Sequence, residues 1–277
     1  MLMKKHRFMV IFPVLFFSCL LLSGLLFSPL SADEGVDLSG FTRIGYLGFL
    51  SKQPVRAAGK IVASESSRLM LSEGDIVSVG LRKEIQAHVG DLFTVCRVQG
   101  IQKDALKGSY GAYVVSFLGR VVLKEQVRPS FFKAQVVDSF RIIRLNDLLM
   151  TFEPVSACVK PLPNKTDFKS KVAALQDVRG IIGQYSVVYL PKGYEQGLRR
   201  GNLLEIVRFA HRDASGKSVL AESSMGYMLV VETRPDTATA LVITCKEELR
   251  PDRVYVRSID WAKAQEVLST LSGCKLR

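Results

Sequence analysis

Beyond residue 40, apolar and polar positions alternate with a period of two in many short runs. "GKIVAS", "DIVSVG", "LFTVCRV", "YVVSFLGRVVL" and "KAQVVD" lie in the first part of the chain. "SVVYL", "LLEIVRF", "GYMLVVE", "TATALVIT" and "RVYVRS" lie in the second. All are rich in β-branched residues and bounded by Gly, Asp, Pro or Ser, which predicts strands separated by tight turns. A helical period is clear only in "DWAKAQEVLSTLS", where Asp260 supplies an N-cap and the helix closes near Gly273. "DFKSKVAALQ" (167–176) is expected to add one or two further helical turns.

The two sets of runs align with one another. Val77 matches Val188 and Gly90 matches Gly201, at one and the same offset. Gly119 then matches Gly226, "AQVV" (134–137) matches "ALVI" (240–243), and "NDLLM" (146–150) matches "PDRVY" (251–255), each at a slightly smaller offset. The order is kept and the offset drifts slowly, as loop lengths do between copies. The expected fold is therefore all-β: two tandem small β-barrel or sandwich modules from an internal duplication, with a short C-terminal helix. The predicted organisation is an N-terminal extension over 33–56, a first β-module over 57–153, and a Pro-rich linker over 154–176. A second β-module over 177–258 and a C-terminal helix and tail over 259–277 complete it.

The segment 1–32 differs in kind. A basic start, "MLMKKHR", precedes the apolar run Phe8–Phe27 and the small-residue stretch "SPLSADEG". This is the pattern of a secretory signal peptide with cleavage after Ala32. The apolar run is nearly long enough to span a bilayer, so a retained membrane anchor is the alternative. Cys19 as a lipid acceptor is a third reading. All three place the bulk of the chain outside the cytosol, in the periplasm or cell envelope.

Composition narrows the chemistry. The chain has 277 residues, is 48% hydrophobic and carries a formal charge of +12. Lys4, Lys5 and Arg7 supply three of those charges with no acid before Asp33, leaving +9 for the rest. A basic surface favours acidic partners, but the cations are scattered, and no stacking platform for nucleic acid appears. "RPSFFK" (128–133) reads as a loop entering a strand. No HExxH, GxSxG or CxxC motif is present. "ASGKS" (214–218) lacks phosphate-loop spacing and reads as a hairpin tip. His88 and His211 are expected in turns or loops.

The Gly-Asp corners are read as structural turns: Gly74-Asp75, Gly90-Asp91 and Asn146-Asp147, with Gly201-Asn202 as the second copy of Gly90-Asp91. Gly supplies a positive φ, and Asp or Asn caps its own turn. A cation site needs several converging oxygens, whereas each corner has one acid and the second copy has Asn. No catalytic, metal or cofactor residues are assigned. Four cysteines follow Cys19. Cys96 and Cys245 fall in strands and read as core. Cys158 and Cys274 are the accessible pair, proposed as a disulfide in an oxidising compartment.

"GFLSKQPVRAAGKIVASESSRLMLSEGDIVSVG" followed by "VGDLFTV" resembles the region C-terminal to the LysM domain in bacterial LysM peptidoglycan-binding envelope proteins. "RGIIGQYSVVYLPKGYEQGLRRGNLLEIV" resembles its second copy, with Lys192-Gly193, Gly197-Leu198 and Gly201-Asn202 forming the corner. A looser similarity is to the C-terminal domain of flagellar assembly protein T. The resemblance covers most of residues 41–258 and implies association with the cell wall. The LysM stretch itself is absent. The expected function is that of a non-enzymatic exported envelope protein whose modules bind another envelope protein or a cell-wall polymer, not nucleic acid. It would meet a membrane only through an uncleaved N-terminal segment. An envelope hydrolase, or a scaffold for an outer-membrane or flagellar assembly, is the alternative.

Overall fold

The structure is a computed structural model that describes residues 34–40, 44–66, 68–101, 111–176, 180–212 and 218–276. The proposed signal segment, 1–32, lies outside them. Among the described residues the fold is all-β with one α-helix. In chain order the strands of the first half are β1 (Glu34–Asp37), β2 (Phe49–Ser51), β3 (Gly59–Ser64), β4 (Ile76–Leu81), β5 (Leu92–Ile101), β6 (Ala112–Arg128), β7 (Phe131–Ser139) and β8 (Leu148–Thr151). The second half contributes β9 (Cys158–Val159), β10 (Lys169–Lys171), β11 (Ala174–Leu175), β12 (Val187–Leu190), β13 (Leu203–Arg208), β14 (His211–Arg212), β15 (Ser218–Leu220), β16 (Ser223–Thr233), β17 (Ala238–Cys245) and β18 (Val254–Ser258). Helix α1 (Trp261–Leu268) and β19 (Gly273–Lys275) end the described chain.

Strands β3 to β8 form a closed antiparallel barrel in the order β6-β5-β8-β3-β4-β7, with β7 returning to β6. Closure leaves no free sheet edge within the ring. It demands a long strand: β6 pairs with β5 from Ala112 to Val122 and with β7 from Gly119 to Arg128. Gly119 sits where both partners meet it, and a Cβ there would overlap the Asp138 carbonyl oxygen. The barrel is filled by alternate side chains, among them Ile61, Val77, Phe93, Val121 and Leu149. Beyond the ring, β2 pairs with β6 at Tyr113–Val115.

The second sheet runs β10-β18-β13-β16-β17-β12-β11. Its two end strands, β10 and β11, are pieces of one run separated by Val172 and Ala173. That run stands where β3 stands in the first barrel, between the counterparts of β8 and β4. The register demonstrates the duplication: Val77 pairs with Ala134 as Val188 pairs with Ala240, and Val95 with Gly119 as Ile206 with Gly226. The last block is corrected. Leu149 pairs with Val95 as Val256 pairs with Ile206, so Leu149 corresponds to Val256. Setting "NDLLM" against "PDRVY" places it opposite Val254 instead. A 3-10 turn at Pro251–Arg253 accounts for the difference, because it takes up extra chain before β18.

Two further expectations are corrected. Residues 167–176 form strands, not helical turns. Phe168, Ser170 and Val172 are buried and Lys169 and Lys171 exposed, which is a period of two. The Pro-rich stretch 154–176 is thus no free linker, since it supplies β9 and the first strand of the second barrel. Nor is 33–56 a mere extension, since it contributes β1 and β2. Strand β1 is the middle of a small sheet, β19-β1-β9. Asp260 caps α1 by accepting a hydrogen bond from the Lys263 amide at 2.9 Å, as expected, but the helix ends at Leu268 and the chain turns into β19.

The two barrels are buried differently. In β4 and β7 of the first, buried positions alternate with half-exposed ones. In the second, β12, β13 and β17 are buried on both faces. The outer face carries Val187, Tyr189, Leu203, Leu229 and Leu241. It is covered by Leu38, Leu47 and Leu50 of the N-terminal segment, by Ala112 and Val114 of β6, and by Ala264, Val267 and Leu268 of α1. Polar bonds tie the layers: the Tyr189 hydroxyl donates to the Leu47 carbonyl at 2.7 Å and the Thr237 hydroxyl to the Leu50 carbonyl at 2.7 Å.

Candidate functional site

The corners singled out from the sequence act as turns. Gly74 and Gly90 have φ of +92° and +97°, and Gly201 has +97°. The Asp75 carboxylate accepts from the Ser72 amide at 2.8 Å, Asp91 from His88 at 2.8 Å, and the Asn202 side-chain oxygen from Arg199 at 2.7 Å. Each bond reaches back across the same short turn, so one geometry is built with acid or amide. Asn146, at φ +69°, precedes Asp147, which accepts from the Arg144 amide at 2.7 Å. The sequence comparison missed a further member, because it carries no Gly-Asp: Tyr185, at φ +66°, stands where Gly74 does, and the Ser186 hydroxyl accepts from the Gly183 amide at 2.9 Å.

Cys158 and Cys274 are joined by a disulfide that spans β9 and β19 across β1. Gly35 lies between them, where a Cβ would meet the Cys158 sulfur at 2.6 Å. Cys96 is buried, and burial pushes its thiol up to about 12, far from a reactive thiolate. Burial also raises the Cys245 thiol. His88 is an exposed turn residue 3.9 Å from the Asp91 carboxylate. His211 begins the β14–β15 hairpin, and its side chain and most of "ASGKS" lie outside the described residues. "RPSFFK" forms the turn between β6 and β7, with Ser130 at φ +61° and the Arg128 guanidinium 4.0 Å above the Phe131 ring. Among the described residues, no group of three or more His, Cys, Asp or Glu is placed to hold a metal ion. No helix there is long and apolar enough to cross a membrane.

Among the described residues, two of the cavities are lined by more than one cation. The first, about 530 Å³, lies where the end of the β5–β6 hairpin meets Arg141, Leu175 and Gln176. Its cations are already engaged. Arg97 holds the buried Asp147 carboxylate through two hydrogen bonds of 2.9 and 2.8 Å. Arg141 donates to the Tyr46 hydroxyl at 2.9 Å and stacks over the same ring. The Gln176 amide donates to the Tyr46 carbonyl. These contacts fasten the N-terminal segment and the two barrels, and they engage both arginines and the Gln176 amide of the lining.

The second cavity, about 330 Å³, is on the second barrel and is lined by Lys169, Ser170, Lys171, Pro191, Lys192, Phe209 and Tyr255. The alternation of β10 sets Lys169 and Lys171 on one exposed face with Ser170 buried between them. The register places Lys171 opposite Tyr255 on β18. Lys192 follows β12 and donates to the Lys169 carbonyl at 2.7 Å. The Lys169 ammonium lies 3.9 Å above the Tyr255 ring and the Lys192 ammonium 5.4 Å above that of Phe168. Phe209 packs against Tyr255 at 5.2 Å. The neighbouring carboxylates are committed elsewhere: Glu222 accepts from the Tyr255 hydroxyl at 2.7 Å and Glu205 pairs with Arg257 at 2.7 Å. Among the described residues, none of the three lysines has a carboxylate partner. The K-S-K alternation was the available signal in the sequence, hidden by its resemblance to a short helix.

No protein-family model matches the chain, and no curated protein matches it.

Proposed function

We propose that the chain is an exported, non-enzymatic protein of the cell envelope whose barrels bind another envelope component, with a cell-wall polymer as the favoured partner. The observation that carries the reading is the Cys158–Cys274 disulfide, which ties mid-chain β9 to β19 at the end of the described chain, within one small sheet. Such a bond persists in oxidising compartments and is uncommon in the cytosol. The signal-like pattern of residues 1–32 supports the same compartment. The lysine cavity of the second barrel offers cations without a neutralising acid, which suits an acidic partner. The resemblance to LysM-associated repeats points to the wall.

The test is fractionation of cells making the full chain, with thiols trapped before lysis, followed by sedimentation with purified cell wall. The expected result is an extracytoplasmic protein with Cys158 and Cys274 blocked from alkylation and co-sedimenting with wall. A cytosolic protein with both thiols free would overturn export. An exported protein that stays in the supernatant would overturn the wall as partner.

A further inference from the structure

The lysine cavity differs from its counterpart in a way the fold does not require. The register of the two barrels sets Lys171 against Lys60, Lys169 against Ala58, Lys192 against Leu81 and Tyr255 against Leu148. The first barrel closes equally well with apolar residues at three of these four positions. The cationic character of the second barrel there is therefore not needed to form a barrel.

Two of the three ammonium groups are also held in place. Lys169 is fixed by the Tyr255 ring, 3.9 Å away, and Lys192 by the Lys169 carbonyl at 2.7 Å. Cations held by neutral partners keep their full charge for a ligand and lose little side-chain freedom on binding. Lys169 and Lys171 alternate on one strand face, so their stems are spaced by about 7 Å. That spacing favours a chain carrying repeated charges over a single ion. The face of Tyr255 is occupied by Lys169, which removes the open aromatic platform on which a nucleic-acid base would stack.

We propose that Lys169, Lys171 and Lys192 form a binding site for an acidic glycan, recognised through its carboxylate or phosphate groups. The identity of the ligand as a wall polymer rests on the export reading, while the site itself does not. Binding is measured with the full chain, by affinity electrophoresis or calorimetry, using polygalacturonate, phosphorylated dextran and neutral dextran as probes. The first two distinguish carboxylate from phosphate. The double variant Lys169→Gln/Lys171→Gln is compared with Lys60→Gln/Lys124→Gln, which removes the same charge from the first barrel. The expected result is binding to an acidic probe, none to neutral dextran, and a loss on the order of tenfold in the site variant alone. The melting temperature should be unchanged in both variants.

Equal losses in the two double variants would show diffuse attraction to a basic protein and overturn the site. Failure of both acidic probes to bind would overturn it too. Tighter site-dependent binding of a single-stranded oligonucleotide would assign the site to nucleic acid and overturn the glycan. A cytosolic location with site-dependent glycan binding would remove the export reading and leave the site standing.

Discussion

Single residues divide by whether their role is local. Asp91 caps its own turn, and Asn202 makes the same hydrogen bond in the other barrel. Asp91→Asn is therefore expected to change stability by less than about 0.5 kcal/mol in denaturant titration and to leave binding intact. A lost activity at unchanged stability would contradict this. Gly90 and Gly201 share φ of +97°, so any side chain is strained at both. Their surroundings differ: a Cβ at Gly90 meets nothing within 4 Å, whereas at Gly201 it would overlap the Lys160 carbonyl oxygen. Gly90→Ala should cost about 1 kcal/mol and Gly201→Ala clearly more, measured as shifts of the denaturation midpoint. The turn was legible in the sequence. The second penalty was not, because Lys160 is brought there only by the path of the Pro-rich segment. Glu232 gives a pH signature. Burial raises its carboxyl above the ordinary 4.5, against the opposing pull of Arg234. A carboxyl with a raised folded-state value binds its proton more tightly in the folded protein. Its contribution is thus complete below about 4.5 and is lost as pH rises through the raised value. Measured across the mildly acidic range up to neutrality, Glu232→Gln should gain in stability relative to the parent as pH increases. A constant difference across that range would refute the assignment.

At the scale of elements, length decided what could be read. Strands of six residues or more with clear alternation, such as β4 and β7, announce themselves through period two. The short pieces β9, β10 and β11 hold two or three residues each and take their structure from partners distant in sequence. Lys169–Lys171 is a strand because β18 lies beside it, and local propensity has little weight over so short a run. The terminal sheet is the clearest dependence on distant chain. Its disulfide closes a separation of 116 residues, and Gly35 leaves the room in which the bridge sits. Reduction, or Cys158→Ala with Cys274→Ala, should cost about 3 kcal/mol. Hydrogen exchange should show the loss first in β1 and β19. Gly35→Ala should lower the fraction of chains with the bridge formed, counted by mass after thiol trapping. Full oxidation in that variant would show that the strand can shift to accommodate a methyl group.

For the whole molecule, the duplication predicts two similar modules but not their union. The outer face of the second barrel is as apolar as its interior and is covered by Leu50, Val114 and Val267 from three other parts of the chain. The segment 34–276 should therefore unfold in one calorimetric transition, with van't Hoff and calorimetric enthalpies in agreement. Two resolved transitions would mean that the barrels are independent. The sequence by itself determined the all-β class, the main turns and the capped helix, because each rests on periodicity or contacts within a few residues, and it set the number of modules through the repeat of whole blocks. It also displayed in "VVYL" and "LLEIV" strands apolar on both sides, without stating what lies on the second side. Only tertiary structure decided that the Pro-rich stretch completes a barrel, that Cys158 meets Cys274, and that Lys169, Lys171 and Lys192 converge beside Tyr255. Those outcomes follow from barrel closure and the pairing of distant strands, which join positions far apart in the chain and leave no local periodicity to reveal them.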